Sequence, residues 1–198
     1  MEQHGGKSLR LAAQYSFNKG LDETTRRYPH LLAEIKDAIS AVDASQAKTK
    51  LSREKTKIGR MLYSPVALNK GFQKELYPKG WRNLSVDCEY PTTHYLEDYN
   101  IRSSLKGAFR DMDFVKDRLG VEIQFGKYSF MVYNVCAKMT IFRNLGFIEC
   151  GVEIVPVKAL ALEMSSGVSY FGNYLLETRK TASLSVLLNG LMHFSVND

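Results

Sequence analysis

At 198 residues, 44 % of them apolar and 24 % charged, the chain is long enough to bury a sizeable core as one domain spanning 1–198. Its formal charge of +6, with 27 Lys and Arg against 21 Asp and Glu, suits a polyanionic partner as readily as plain solubility. Three cysteines without C-x-x-C spacing argue against a disulfide scaffold. Four scattered histidines do the same for a zinc hydrolase, and no apolar run nears the ~20 residues of a membrane span. Reduced thiols and the lack of a signal-peptide pattern make a soluble protein of the cell interior the expectation.

Along the chain, MEQHGGKS (1–8) reads as a loose terminus, and LRLAAQYSF after it suits an early strand or a short helix equally. From Pro29 the pattern clears. Leu32, Ile35, Ile39 and Val42 recur at helical spacing, with proline in the first turn, where its missing N–H removes no bond. AKTKLSREKTKIGR (47–60) carries six lysines and arginines in fourteen residues. Such a run serves as a solvated surface or as a contact to DNA phosphates. SPVALNKGFQKELYPKGW (64–81) reads as a second helix, opened by Ser64 and Pro65 and stopped at Pro78 and Gly80.

Residues 84–110 are polar and mixed, an expected excursion from the core. Two short strands follow, 113–116 and 119–125, joined through KDRLG, then a helix over 128–145 closed by Gly146. FIECGVEIVPV predicts a strand and KALALEM a short helix. SSGVSYFGN predicts a loop leading into a helix, and ASLSVLLNGL (182–191) a last apolar strand. Alternating strands and helices predict an α/β sandwich around a mixed sheet.

The stretch DFVKDRLGVEIQFGKYSF (113–130) carries the chemistry. On a strand, Glu122 and Gln124 share one face, while Val121, Ile123 and Phe125 take the other. A hairpin returning from Asp113 can bring that carboxylate beside Glu122. Two close carboxylates repel, and a divalent cation between them relieves the strain. Magnesium accepts phosphate oxygens and makes a hydroxide nucleophile available near neutral pH, which is what phosphodiester hydrolysis requires. Acidic and amide side chains on the open face of an edge strand are the bland alternative. GVSYFG lacks G-x-S-x-G spacing and a histidine partner, which disfavours a serine hydrolase. The stripe of Phe130, Tyr133, Ala137 and Ile141 suits core or a dimer interface.

Five blocks in order extend the pattern. They are REKTKIGRMLYSPVALN (53–69), KGW (79–81), DFVKDRLGVEIQFGKYSF (113–130), CGVEIVPVK (150–158) and EMSSGVSYF (163–171). On them the chain resembles the type II restriction endonucleases of the BglII and BstYI group, over roughly residues 28–171. The resemblance implies a PD-(D/E)xK nuclease-like α/β sandwich, a central mixed β-sheet flanked by helices. It also implies a homodimer on palindromic double-stranded DNA and Mg²⁺-dependent cleavage in a prokaryotic cytoplasm.

By the same resemblance Asp113, Glu122 and Gln124 are the catalytic residues, with Asp113 and Glu122 holding the metal. Gln124 stands where most relatives have lysine. A neutral amide orients water and accepts no proton. Asn83, in GWRNLS, lies near an asparagine of the BglII active site. The group cuts at sites with a central GATC and leaves 5′ overhangs. Lys127 matches the residue after Q-F-x in the group, and Ser165 and Ser166 match a loop the group uses for base contacts. Lysine suits guanine O6 and N7, and serine hydroxyls suit any base edge. A phosphate contact for Lys127 and a capping or loop bond for the serines are the alternatives. Two further readings stand beside the restriction enzyme: a repair or processing nuclease with little sequence preference, and a DNA-binding module without turnover.

Overall fold

Among the described residues six strands form one mixed sheet in the order β1-β8-β7-β6-β5-β4, built from Arg10–Phe17 (β1), Arg82–Asp87 (β4), Phe109–Lys116 (β5), Leu119–Ile123 (β6), Cys150–Pro156 (β7) and Leu191–Asn197 (β8). The β6–β7 and β7–β8 pairs are parallel and the other three antiparallel. Lys50–Leu51 (β2) and Met61–Leu62 (β3) make a separate small hairpin. The computed structural model describes residues 8–88, 95, 96, 99, 108–127, 131–173 and 191–197, with Phe17, 131–134 and 191–197 in backbone only.

The helices cover both faces. Pro29–Ala41 (α2) starts on its proline and buries Leu31, Leu32, Ile35, Ala38 and Ile39 along one stripe. Pro65–Leu76 (α3) starts at Ser64, whose hydroxyl accepts from the Ala67 N–H at 3.3 Å, and buries Leu68, Phe72 and Leu76. These stripes, beside Gly20–Arg27 (α1), pack against Val121, Ile123, Phe125, Val152 and Ile154 in one core cluster. The opposite face of the sheet carries Met112 and Val155, which pack under Val135, Met139 and Phe142 of Met131–Asn144 (α4). Gly146, at φ +78°, ends α4 in the left-handed conformation that glycine adopts without strain. The result is the expected α/β sandwich.

Four sequence expectations shift. LRLAAQYSF is strand β1, decided by pairing with β8, which local periodicity does not contain. Both ends of the expected excursion are sheet: residues 84–87 belong to edge strand β4, with Leu84 and Val86 half-buried between exposed neighbours, and 109–110 open β5, while most of 89–107 lies outside the described residues. The last strand lies at Leu191–Asn197. Most of 182–191, the helix expected after Asn173 and residues 1–7 fall outside the described residues. Finally, β6 is an interior strand flanked by β5 and β7, so Glu122 and Gln124 do not sit on an edge.

Candidate active site

β5 and β6 form a tight hairpin whose two loop residues, Asp117 and Arg118, both have positive φ (48° and 68°), the twist that two-residue hairpins favour. Arg118 is held there by Glu149, whose backbone N–H donates to the Arg118 carbonyl at 2.7 Å and whose carboxylate pairs with the guanidinium at 3.0 Å. On its other side β5 is bulged. Arg82 pairs with Val115 but Leu84 with Met112, so β5 carries one extra residue opposite Asn83. The bulge breaks the alternation: Met112 packs on the α4 face, whereas Phe114 packs on the other. Asn83 donates its side-chain amide to the Met112 carbonyl at 3.0 Å, satisfying the distorted backbone.

Asp113 lies in this bulge. The registered β5–β6 ladder ends at Phe114 and Val121, and the Asp113 side chain continues it, with Oδ2 accepting from the Ile123 N–H at 2.8 Å. That contact brings Asp113 to the carboxylate of Glu122, the neighbour of Ile123. Glu122 is 5 % exposed and Gln124 8 %. The alternation places both on the α4 face, with Val121, Ile123 and Phe125 in the opposite cluster.

Two residues that sequence reasoning passed over complete the surroundings. Lys138 of α4 donates its ammonium to Glu122 Oε1. Glu153 of β7 stands in direct register with Glu122 and is fully buried. Both carried a sequence signal, a lone charge within an apolar strand (CGVEIVPV) or an apolar helical stretch (VCAKMTIF).

The electrostatics follow from burial and from like charge. Burial first, then Asp113 and to a smaller extent Glu153, push the Glu122 carboxyl up to about 8 against the opposing Lys138. Asp113 is also raised, by burial first, with the Ile123 N–H and Lys138 pulling it back. Cys136 of α4 is pushed up to about 12 by burial and by Glu153. Among the described residues no group of three or more His, Cys, Asp or Glu side chains converges to hold a metal. The Asp113–Glu122 pair stands as two carboxylates.

The predicted DNA contacts gather at a second place. Lys127 forms a backbone bridge with Val168, so the segment continuing β6 lies against the loop after Lys158–Leu162 (α5). Ser166 is exposed there, whereas Ser165 is 2 % exposed with its hydroxyl bound by Lys50 at 2.6 Å. The basic run is largely engaged with the same segment. Lys48 and Arg60 pair with Glu163 at 3.1 and 2.9 Å, and Lys57 donates to the Leu162 and Met164 carbonyls at 2.8 and 2.6 Å. Those carbonyls end α5, where a cation meets the negative end of the helix. Within the run Glu54 accepts from both Lys127 and the Ser166 N–H. Lys127 first, then the Ser166 N–H and hydroxyl, hold its carboxyl down at about 2.

A bulged strand, its hairpin partner and a covering helix that focus Asp113, Glu122 and Gln124 on one face of a mixed sheet define a fold of the PD-(D/E)xK nuclease type. Residues 12–186 match the family described as restriction endonuclease BglII/BglIII, and the chain belongs to that family. The match reaches beyond the motif blocks at both ends. The type II restriction enzyme BglII of Bacillus subtilis is 29 % identical over 130 residues, 65 % of this chain and 51 % of that protein. The chain thus spans about half the length of this curated relative.

Two solved structures share the fold. Restriction endonuclease BglII complexed with a DNA 16-mer superposes with a TM-score of 0.67 at 21 % identity, over 97 % of this chain and 79 % of the other. Free BglII gives 0.58 at 18 % identity, over 97 % and 80 %.

Proposed function

We propose that the chain is a type II site-specific deoxyribonuclease that hydrolyses both strands of duplex DNA at a palindrome with central GATC, of the RGATCY or AGATCT kind, leaving 5′ overhangs. The observation that carries this reading is the buried Asp113–Glu122 pair beside Gln124, on a chain of the BglII/BglIII family. BglII has been crystallised on DNA, which supports duplex DNA as the substrate here. A palindrome presents two equal half-sites, so the active form is a homodimer with one site per strand. Kinship with a Bacillus subtilis enzyme and three free thiols support a bacterial cytoplasm. Among the described residues no helix is long and apolar enough to cross a membrane.

The donor set fits magnesium. It consists of carboxylate oxygens, and Glu122 Oε2 is buried without a hydrogen-bond partner. Asp113 and Glu122 would hold the ion. Mg²⁺ supplies Lewis-acid polarisation of the scissile phosphate and makes water acidic enough to attack near neutral pH. The protein's own groups do the positioning. Ile123 N–H fixes one Asp113 oxygen, and Lys138 fixes Glu122 Oε1 and leaves Oε2 available. Gln124 orients the attacking water through its carbonyl oxygen. The new P–O bond forms in line with the breaking P–O3′ bond, giving 5′-phosphate and 3′-hydroxyl ends. Asn83 acts on the site by shaping the bulge that carries Asp113.

Incubation of the protein with plasmid and Mg²⁺, followed by sequencing of the ends, tests the reading. Discrete fragments ending at GATC-centred sites are expected. A smear would replace the reading with a nuclease of low sequence preference, and retarded but intact DNA with a binding module.

A further inference from the structure

Glu54 lies between Arg53 and Lys55 in the most basic stretch of the chain, yet its carboxylate turns to partners remote in sequence. Oε1 accepts from the Lys127 ammonium and Oε2 from the Ser166 backbone N–H at 2.9 Å. One carboxylate therefore joins three segments: the loop of the β2–β3 hairpin, the continuation of β6 and the loop after α5. The Lys127–Val168 bridge and the Lys50–Ser165 bond fasten the same segments beside it.

A lysine on a flexible stem samples many positions and meets any phosphate within reach. Glu54 removes that freedom with one hydrogen bond, and two of the three ammonium hydrogens stay available. The Lys127 side chain is 49 % exposed, so the held ammonium is still reachable from outside. Two donors at a fixed point match guanine O6 and N7 in the major groove. The Glu54 charge also offsets the ammonium, which makes an arbitrary phosphate a poorer partner there.

The geometry points to Glu54 as a specificity-determining positioning residue, which aims Lys127 at a base edge and holds the Ser166 loop in step with it. This rests on the reading of the chain as a site-specific nuclease with Lys127 as a base reader. Glu54→Gln is the direct test. An amide has one accepting oxygen and one donating nitrogen, so it cannot accept from Lys127 on one atom and from Ser166 on the other. Glu54→Asp keeps the charge and both oxygens.

The measurement is equilibrium binding in Ca²⁺ to duplexes carrying the palindrome mapped from digested plasmid, and to each single-base-pair variant of it. Wild type, Glu54→Gln, Glu54→Asp, Lys127→Ala and the double variant Glu54→Gln with Lys127→Ala are compared, each with its melting temperature. Glu54→Gln, measured well below its melting temperature, is expected to lower the cognate-to-variant affinity ratio at one base pair by roughly fivefold or more. Its binding to unrelated duplex stays equal or becomes tighter. Lys127→Ala lowers the same ratio, and adding Glu54→Gln to it lowers the ratio no further. Glu54→Asp retains more discrimination than Glu54→Gln even if both melt lower.

An unchanged ratio, an equal loss on every duplex, additive losses in the double variant, or the reverse order of Asp and Gln overturns the assignment while leaving the nuclease reading in place. A wild-type protein with no preference for any sequence removes the site-specific reading, and the assignment with it.

Discussion

Glu122 and Glu153 stand in direct register on the adjacent parallel strands β6 and β7, and both are buried. Like charges side by side in a sheet oppose each other, and burial sharpens the opposition. The Lys138 ammonium relieves part of it from α4, at Glu122 Oε1. Burial first, then the Asp113 carboxylate, with Glu153 the smaller contributor, push the Glu122 carboxyl up to about 8.

The first expectation concerns stability without metal. A carboxyl raised from its ordinary 4.5 to about 8 binds its proton more tightly in the folded state than in the unfolded one. The folded state is therefore favoured fully below about pH 4.5, and this advantage, on the order of a few kcal/mol, is lost as pH rises through about 8. Urea unfolding in EDTA is expected to give lower stability at pH 8 than at pH 5. Glu122→Gln, which is neutral throughout, flattens that slope. A slope of equal steepness in the variant would remove Glu122 as its source.

The second separates binding from cutting. Asp113→Asn keeps an oxygen to accept from the Ile123 N–H, and Glu122→Gln keeps the side-chain shape, so both variants fold. Each is expected to lose cleavage by roughly a hundredfold or more while retaining sequence-specific binding in Ca²⁺. Mg²⁺ should raise the melting temperature of the wild type, because a ligand of the folded state stabilises it, and raise it less in either variant. Near-normal cutting by one variant would take that residue out of the site.

Within the basic run, not all cations are equivalent. Lys57 donates to two carbonyls at the end of α5, so Lys57→Ala is expected to destabilise the protein by about 1–2 kcal/mol. Arg53 and Lys55 are exposed. Their alanine variants are expected to melt normally, to weaken binding to all duplexes alike, and to reduce the salt slope by about one for each phosphate contact removed. A Lys57 variant that melts normally and behaves like these two would return the whole run to a plain phosphate-binding surface.

Assembly gives the fourth test. Ala137 on α4 and, just beyond the helix, Leu145 and Phe147 are exposed apolar positions that suit a two-fold partner. Sedimentation at micromolar concentration should show a dimer, and Leu145→Glu combined with Phe147→Glu should shift it toward monomer. A wild-type monomer with and without DNA would contradict the dimer, and a double variant that stays dimeric would move the interface elsewhere.

Local chemistry made much of this molecule legible. Pro29, Ser64 with Pro65, and Gly146 mark helix ends through backbone geometry that belongs to those residues themselves. A period of two sends Val121, Ile123 and Phe125 to one side and Glu122 and Gln124 to the other whatever the strand's neighbours are, and the sheet respects it. The motif blocks placed the family for the same reason, since order and spacing are properties of the chain alone.

Long-range contacts set the rest. Asp113 reaches β6 through a bulge that exists because β4 pairs across it, and no residue between 109 and 116 announces the extra position. Glu122 meets Glu153 and Lys138 because a parallel strand and a helix happen to cover it, so its pKa depends on partners that spacing does not reveal. The basic run looked free because its partners at 162–166 lie about a hundred residues away in sequence. A side chain's face follows from the backbone's own period, but what stands opposite that face depends on which distant segments bury their apolar surfaces together.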